Sequence, residues 1–208
     1  MSIFKEPLLD AMLCFPFIGL ILYLPFVLYQ YHQYGRVTMW HTVMTFSFIF
    51  YLTSAFFVVN FPLPSEQHIQ HLIAVDYPVM NLDPLRMVKK FLLNNPLMYG
   101  GNLIDGLRDT TVSQVILNII LTIPFGIYLR FYYKKSLKTT LLLTILLTSF
   151  FEMTQLTGLY YIYDRPYRLF DVDDLILNTI GGVLGWFLVF LLGKVLPFRQ
   201  RIAKLVNT

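Results

Sequence analysis

Five apolar runs set the pattern of the chain. They fall at roughly residues 12–30, 40–61, 112–131, 137–157 and 175–196. Each approaches the ~20 residues that a helix needs to cross about 30 Å of hydrocarbon. Pro16 and Pro25 interrupt the first run and Pro124 the third. A proline inside a helix removes a backbone donor, so kinks are expected at Pro25 and Pro124. The segment ahead of the first run, MSIFKEPLLD, sets one Lys against Glu6 and Asp10, and no small-x-small cleavage pattern follows. The run therefore reads as a retained helix and not as a signal peptide.

The longest polar region, residues 62–111, separates the second and third runs. Within it, Asp83 as N-cap, Pro84 at the first helical position and the string LRMVKKFLL predict a short helix. Leu85, Val88 and Leu92 share a stripe, while Arg86, Lys89 and Lys90 point elsewhere, as in a helix lying on a membrane surface. Tyr99-Gly100-Gly101-Asn102 predicts a turn. The expected fold is an all-α integral membrane protein. It is a bundle of about five transmembrane helices with a long extracytoplasmic loop containing a short interfacial helix. The expected organisation is an N-terminal two-helix hairpin plus loop over 1–111, a three-helix core over 112–196 and a basic tail over 197–208.

Composition agrees with that pattern. Of 208 residues, 56% are hydrophobic and 13% charged, against about 25% charged in soluble domains, and the mean hydropathy is +0.60. The net charge of +4 does not point to nucleic acid. The basic residues gather in short segments: Arg130, Lys134, Lys135 and Lys138 around the third connector, and Arg199, Arg201 and Lys204 in the tail. The positive-inside bias places both on the cytoplasmic side, so five spans put the N-terminus outside. Of the twelve acidic residues, Glu152 alone falls within a span, and the others fall on the expected outer side. The localisation is a multi-pass protein of the plasma membrane, with membrane lipids as its first partners. The single cysteine, Cys14, excludes an intramolecular disulfide and a cysteine metal site.

The chemistry concentrates between residues 148 and 185. A carboxylate at the centre of a span costs roughly 2.5–3.5 kcal/mol on insertion scales, so Glu152 should face the bundle interior with a partner. Thr140, Thr144, Thr148, Glu152 and Gln155 step by four and three and form one helical stripe. Asp171, Asp174, Asn178, then Gly181 or Gly182, and Gly185 form a second stripe, in which Gly181-x-x-x-Gly185 admits close helix approach. Asn118, with Thr122 and Gly126, forms a third. Taken singly, Asn118 and Asn178 read as hydrogen-bonding residues between helices. Arg165 and Arg168 lie in the connector above and could meet a phosphate or carboxylate. Asp171, Asp173 and Asp174 offer hard oxygens to a cation. More often such carboxylates cap a helix start, and a cap is expected for at least one of them. His68 and His71 stand outside any HExxH pattern, so no metal is expected. There is no GxSxG, P-loop or GxGxxG either, and no cofactor is expected. An acid–base pair of carboxylates stays open.

Three strings carry a resemblance: NIILTIPFG at 118–126, FEMTQ at 151–155 and RLFDVDDLILNTIGG at 168–182. In this order they resemble the VanZ-like family of small bacterial membrane proteins. The family's recurrent polar positions fall on Asn118, Glu152, Gln155, Arg168, Asp174 and Asn178. The resemblance implies action at the cell surface and, for some members, low-level resistance to glycopeptides of the teicoplanin type, with no reaction firmly attached. Teicoplanin carries a lipid tail, which suits a membrane protein acting on an amphiphile. The resulting expectation is a polar site at the outer face, made of Asn118, Glu152, Gln155, Arg168, Asp171, Asp174 and Asn178. It would engage a lipoglycopeptide or a lipid-linked cell-wall precursor. The alternative is a membrane enzyme acting on a lipid or polyprenyl head group, with Glu152 as acid or base. A transporter has less support, because no internal repeat is evident and an oligomer would have to supply the symmetry.

Overall fold

The computed structural model describes Lys5–Val195. Five of its helices are long and apolar enough to cross a membrane, at Glu6–Tyr34, Met39–Asn60, Thr110–Phe131, Leu137–Leu156 and Val172–Lys194. The protein is thus an all-α membrane bundle, and the expected spans recur within a few residues except at the start of the first. Helix α1 (Lys5–Tyr34) runs unbroken through Pro16 and Pro25. The expected basic tail, 197–208, lies outside the described residues.

The chain divides into two compact units. In the first, α1 and α2 (Met39–Asn60) form a hairpin. Edge-to-face rings hold it, with Phe15 and Phe50 at 5.0 Å and Phe26 and Phe46 at 5.5 Å between centroids. A polar latch closes its connector. Buried Gln30 accepts from the Thr38 amide at 2.8 Å and donates to the Thr42 hydroxyl at 3.0 Å. Most large side chains of α1 are exposed, as lipid-facing side chains would be.

The second unit covers Pro64–Leu192. The loop is more structured than its sequence suggests. It contains α3 (Glu66–Ala74), the short strand β1 (Met80–Asn81), α4 (Arg86–Asn94), a 3-10 turn (Pro96–Tyr99) and α5 (Leu103–Arg108). Gly100 closes the turn at φ 78°, the left-handed region that glycine adopts freely. Then come α6 (Thr110–Phe131), α7 (Leu137–Leu156), the single turn α8 (Gly158–Tyr161), β2 (Phe170–Asp171) and α9 (Val172–Val195). Strands β1 and β2 pair in parallel, Asn81 opposite Asp171, which fastens the loop to the start of α9. A small apolar cluster of Ile69, Leu72 and Tyr167 fastens α3 to the connector after α7. Arg165 adds to this seam by donating to the Tyr77 carbonyl and pairing with Asp76 at 3.7 Å.

Glycines let α6, α7 and α9 close up. A methyl at Gly126 would overlap the Gly182 carbonyl, and one at Gly185 would overlap the Ile123 carbonyl. One at Gly182 would overlap the Thr144 side chain. The glycine stripe of α9 therefore faces both other helices at backbone distance. At the opposite end from the loop, the Trp186 indole donates to the Lys135 carbonyl at 3.1 Å, and the Arg130 guanidinium lies 4.7 Å from the Trp186 ring centre.

Candidate functional site

Helix α7 carries the polar stripe inward. Thr140, Thr144 and Thr148 have no exposed surface, Glu152 is 2% exposed, and Gln155 is buried. Two of these threonines, Thr144 and Thr148, are held by hydrogen bonds. Thr144 donates to the Thr140 carbonyl at 2.8 Å, and Asn178 of α9 donates to the Thr148 hydroxyl at 3.1 Å. Thr122 of α6 donates to the Asn178 carbonyl at 2.5 Å. Asn178 is thus the node where the three helices meet, a hydrogen-bonding role between spans.

One turn higher, the carboxylates wire helix ends to the loop. Glu152 Oε2 accepts the amide of Asp171 at 3.1 Å. Asp171 Oδ1 accepts from the Asp173 amide at 2.9 Å, capping its own helix α9, and from Asn81 Nδ2 at 2.8 Å. Asp173 reaches across to α4, where its two oxygens accept from the amides of Leu85 at 2.6 Å and Met87 at 2.8 Å. The N-terminus of α4 is therefore capped from a residue 88 positions away in sequence. This corrects the expected local cap. Leu85, at φ 63°, precedes the helix, and Asp83 instead pairs with Lys89 at 2.7 Å. The physical reason is that a buried carboxylate from α9 satisfies two of the orphan amides that open a helix. Asp174 accepts from Asn118 Nδ2, joining α9 to α6.

Above these bonds lies a cavity of about 610 Å³. From the loop, His68 and Leu72 of α3, Tyr77, and Arg86, Met87 and Lys90 of α4 line it. From the helices come Gln114 and Asn118 of α6, Gln155 of α7 and Asp174 of α9, with Tyr167, Arg168, Leu169 and Asp171 from the connector and β2. Burial is the largest influence on Arg168 and holds its pKa below the usual guanidinium value, while Tyr167 and Asp174 act in the opposite sense. The guanidinium stays cationic all the same. Burial pushes the Tyr167 hydroxyl up, with Arg168 opposing.

The residues singled out from sequence divide into two sets. Asn118, Gln155, Arg168, Asp171 and Asp174 line the cavity. Glu152 and Asn178 do not. They lie behind it, one holding β2 and the other joining the helices. Arg165 is spent on the loop seam. The sequence reading left out Gln114, Arg86 and Lys90 as site residues. The last two could have been found as a pair four apart on the non-apolar side of the interfacial helix, which places both on one flank. Among the described residues, no three His, Cys, Asp or Glu converge as a metal-ligand set.

No curated protein and no solved structure matches the chain. A family model does, over residues 48–193, a stretch that takes in the α6–α7–α9 core and the whole loop with its cavity residues. The match covers more than half of the chain and agrees with the three sequence strings, so this multi-pass membrane protein belongs to the VanZ/LLP1 family.

Proposed function

We propose that this VanZ-family protein works at the outer face of the cell membrane, where its cavity receives the polar head of a lipidated or lipid-linked envelope molecule. By doing so it would alter susceptibility to glycopeptides of the teicoplanin type. The observation that carries the reading is the cavity itself. It joins charged groups and amides from three span ends to a loop helix whose other flank, Val88 and Leu92, is exposed and apolar. That combination suits an amphiphile, with its head among polar groups and its tail beside an interfacial helix. The acid–base alternative draws less support. The Glu152 carboxylate faces a backbone amide and does not line the cavity.

The test is drug susceptibility in a sensitive Gram-positive host expressing the wild type or Arg168→Ala at equal membrane levels. Protection against teicoplanin and not vancomycin, lost in the variant, is the expected result. Equal protection by both proteins would remove the cavity from the account.

A further inference from the structure

Three cations line the cavity wall. Arg86 and Lys90 lie on one flank of α4, and Arg168 faces the same space from the connector. The guanidinium of Arg86 and the ammonium of Lys90 make no ion pair or hydrogen bond among the described residues. The neighbouring Lys89, by contrast, is held by Asp83 outside the cavity. Two carboxylates also line the space, but both are engaged within the protein. Asp171 is held by Asn81 and the Asp173 amide, and Asp174 by Asn118. The cavity thus presents two uncommitted cations and a third at its wall. Opposite them stand two carboxylates, Asp171 and Asp174, whose hydrogen bonds come from neutral donors within the protein.

We propose that this cavity binds the phosphate of a membrane amphiphile, with Arg86, Lys90 and Arg168 as the phosphate contacts and the chain leaving along the apolar flank of α4. The assignment rests on the head-group reading above and names its chemistry. Guanidinium groups match the oxygen spacing of phosphate and bind it through paired, charge-assisted hydrogen bonds, and a lysine adds a point charge. Helix α4 suits the task because its two flanks differ. Arg86 and Lys90, four residues apart, face the cavity, while Val88 and Leu92 are exposed on the other side.

The experiment uses the purified full chain in nanodiscs of a zwitterionic lipid. Binding is measured for four probes: a polyprenyl pyrophosphate, phosphatidylglycerol, the matching uncharged polyprenol and inorganic phosphate. One or both of the phosphate-bearing amphiphiles should bind, and which of the two binds more tightly identifies the source. The polyprenol should bind at least about tenfold more weakly, since a hydrogen bond to a charged group is worth at least that factor, and so should inorganic phosphate, which lacks the apolar chain. Lys90→Gln, at an exposed position on α4, should weaken amphiphile binding about tenfold, whereas Lys89→Gln should leave it unchanged. Arg86→Lys should retain more affinity than Arg86→Gln. Equal loss in Lys89→Gln and Lys90→Gln would reduce the effect to general surface charge and overturn the site. Equal binding of polyprenol and pyrophosphate would overturn the phosphate assignment while leaving the head-group reading intact. Inorganic phosphate binding as tightly as the amphiphiles would overturn the amphiphile part. Failure of all four probes would overturn the phosphate assignment, and protection in the susceptibility test would then decide the broader reading separately.

Discussion

Glu152 and Asp173 show what buried carboxylates do in this protein. Each accepts backbone amides that would otherwise be orphaned, and a buried donor left unmade costs about 1–3 kcal/mol. Glu152→Ala should therefore destabilise the fold by that amount, measured as denaturant or thermal unfolding in detergent. Glu152→Gln keeps a carbonyl acceptor and should cost less. Asp173→Ala removes two acceptors at once. It should raise hydrogen exchange across α4 selectively, with Asp173→Asn intermediate, and uniform exchange in all three proteins would refute the cap. At this scale the sequence was informative where cost alone speaks. Glu152 stood out because a carboxylate in a span demands a partner. Asp173 could not be assigned, because its partners Leu85 and Met87 lie far off in sequence and no local spacing encodes them.

Helices were legible as lengths of apolar pattern, and glycines as points of close approach. Gly181-x-x-x-Gly185 did mark a packing face, but its partners had to come from the structure: Ile119, Thr122 and Ile123 on α6, with Gly182 between them against Thr144 on α7. Gly126→Ala would drive a methyl into the Gly182 carbonyl. Backbone cannot yield as a flexible side chain can, so a loss of about 1–3 kcal/mol is expected, seen as a lower unfolding midpoint or lost expression. Gly193, with open space around it, should accept Ala at little cost. The interfacial helix α4 was legible in its amphipathic spacing. Its cap, and with it the two-residue shift of its start, was not, because Asp83-Pro84 is a good local signal overridden by a tertiary one. Helix α3 escaped notice, although Ser65 caps it and Ile69, Leu72 and Ile73 have helical spacing; it is only nine residues long and gains its stability by burying Ile69 and Leu72 against Tyr167.

At the scale of the molecule, the loop over 62–109 is fastened to the helix core by β1–β2 pairing, by the Asp173 cap and by the Ile69–Leu72–Tyr167 cluster. The cavity exists because those three attachments hold α4 against the ends of α6, α7 and α9. The charge pattern adds a direction. If the short basic connector lies inside, as the positive-inside bias leads one to expect, the loop and its cavity face outward. In a Cys14→Ser background, a membrane-impermeant maleimide added to intact cells should label Gln67→Cys in the loop and leave Lys134→Cys in the connector unlabelled. The reverse pattern would invert the topology and place the cavity in the cytoplasmic leaflet. The helix and connector side of the cavity was legible, as Asn118, Gln155, Arg168, Asp171 and Asp174, but its loop side with Arg86 and Lys90 was not, since α3, α4 and the connector meet only through long-range pairing.

The most direct measurement is photo-crosslinking of an envelope amphiphile in membranes. A phosphatidic acid carrying a diazirine next to its head group would be activated with the full chain present, and the labelled peptides would be mapped by mass spectrometry. If the cavity is the functional site, adducts should concentrate on the α4 segment around Arg86–Asn94 and on the connector around Arg168, and Arg168→Ala should reduce both together. Labelling spread along the lipid-facing sides of α1 and α2, unchanged by Arg168→Ala, would show only annular lipid and would contradict the account.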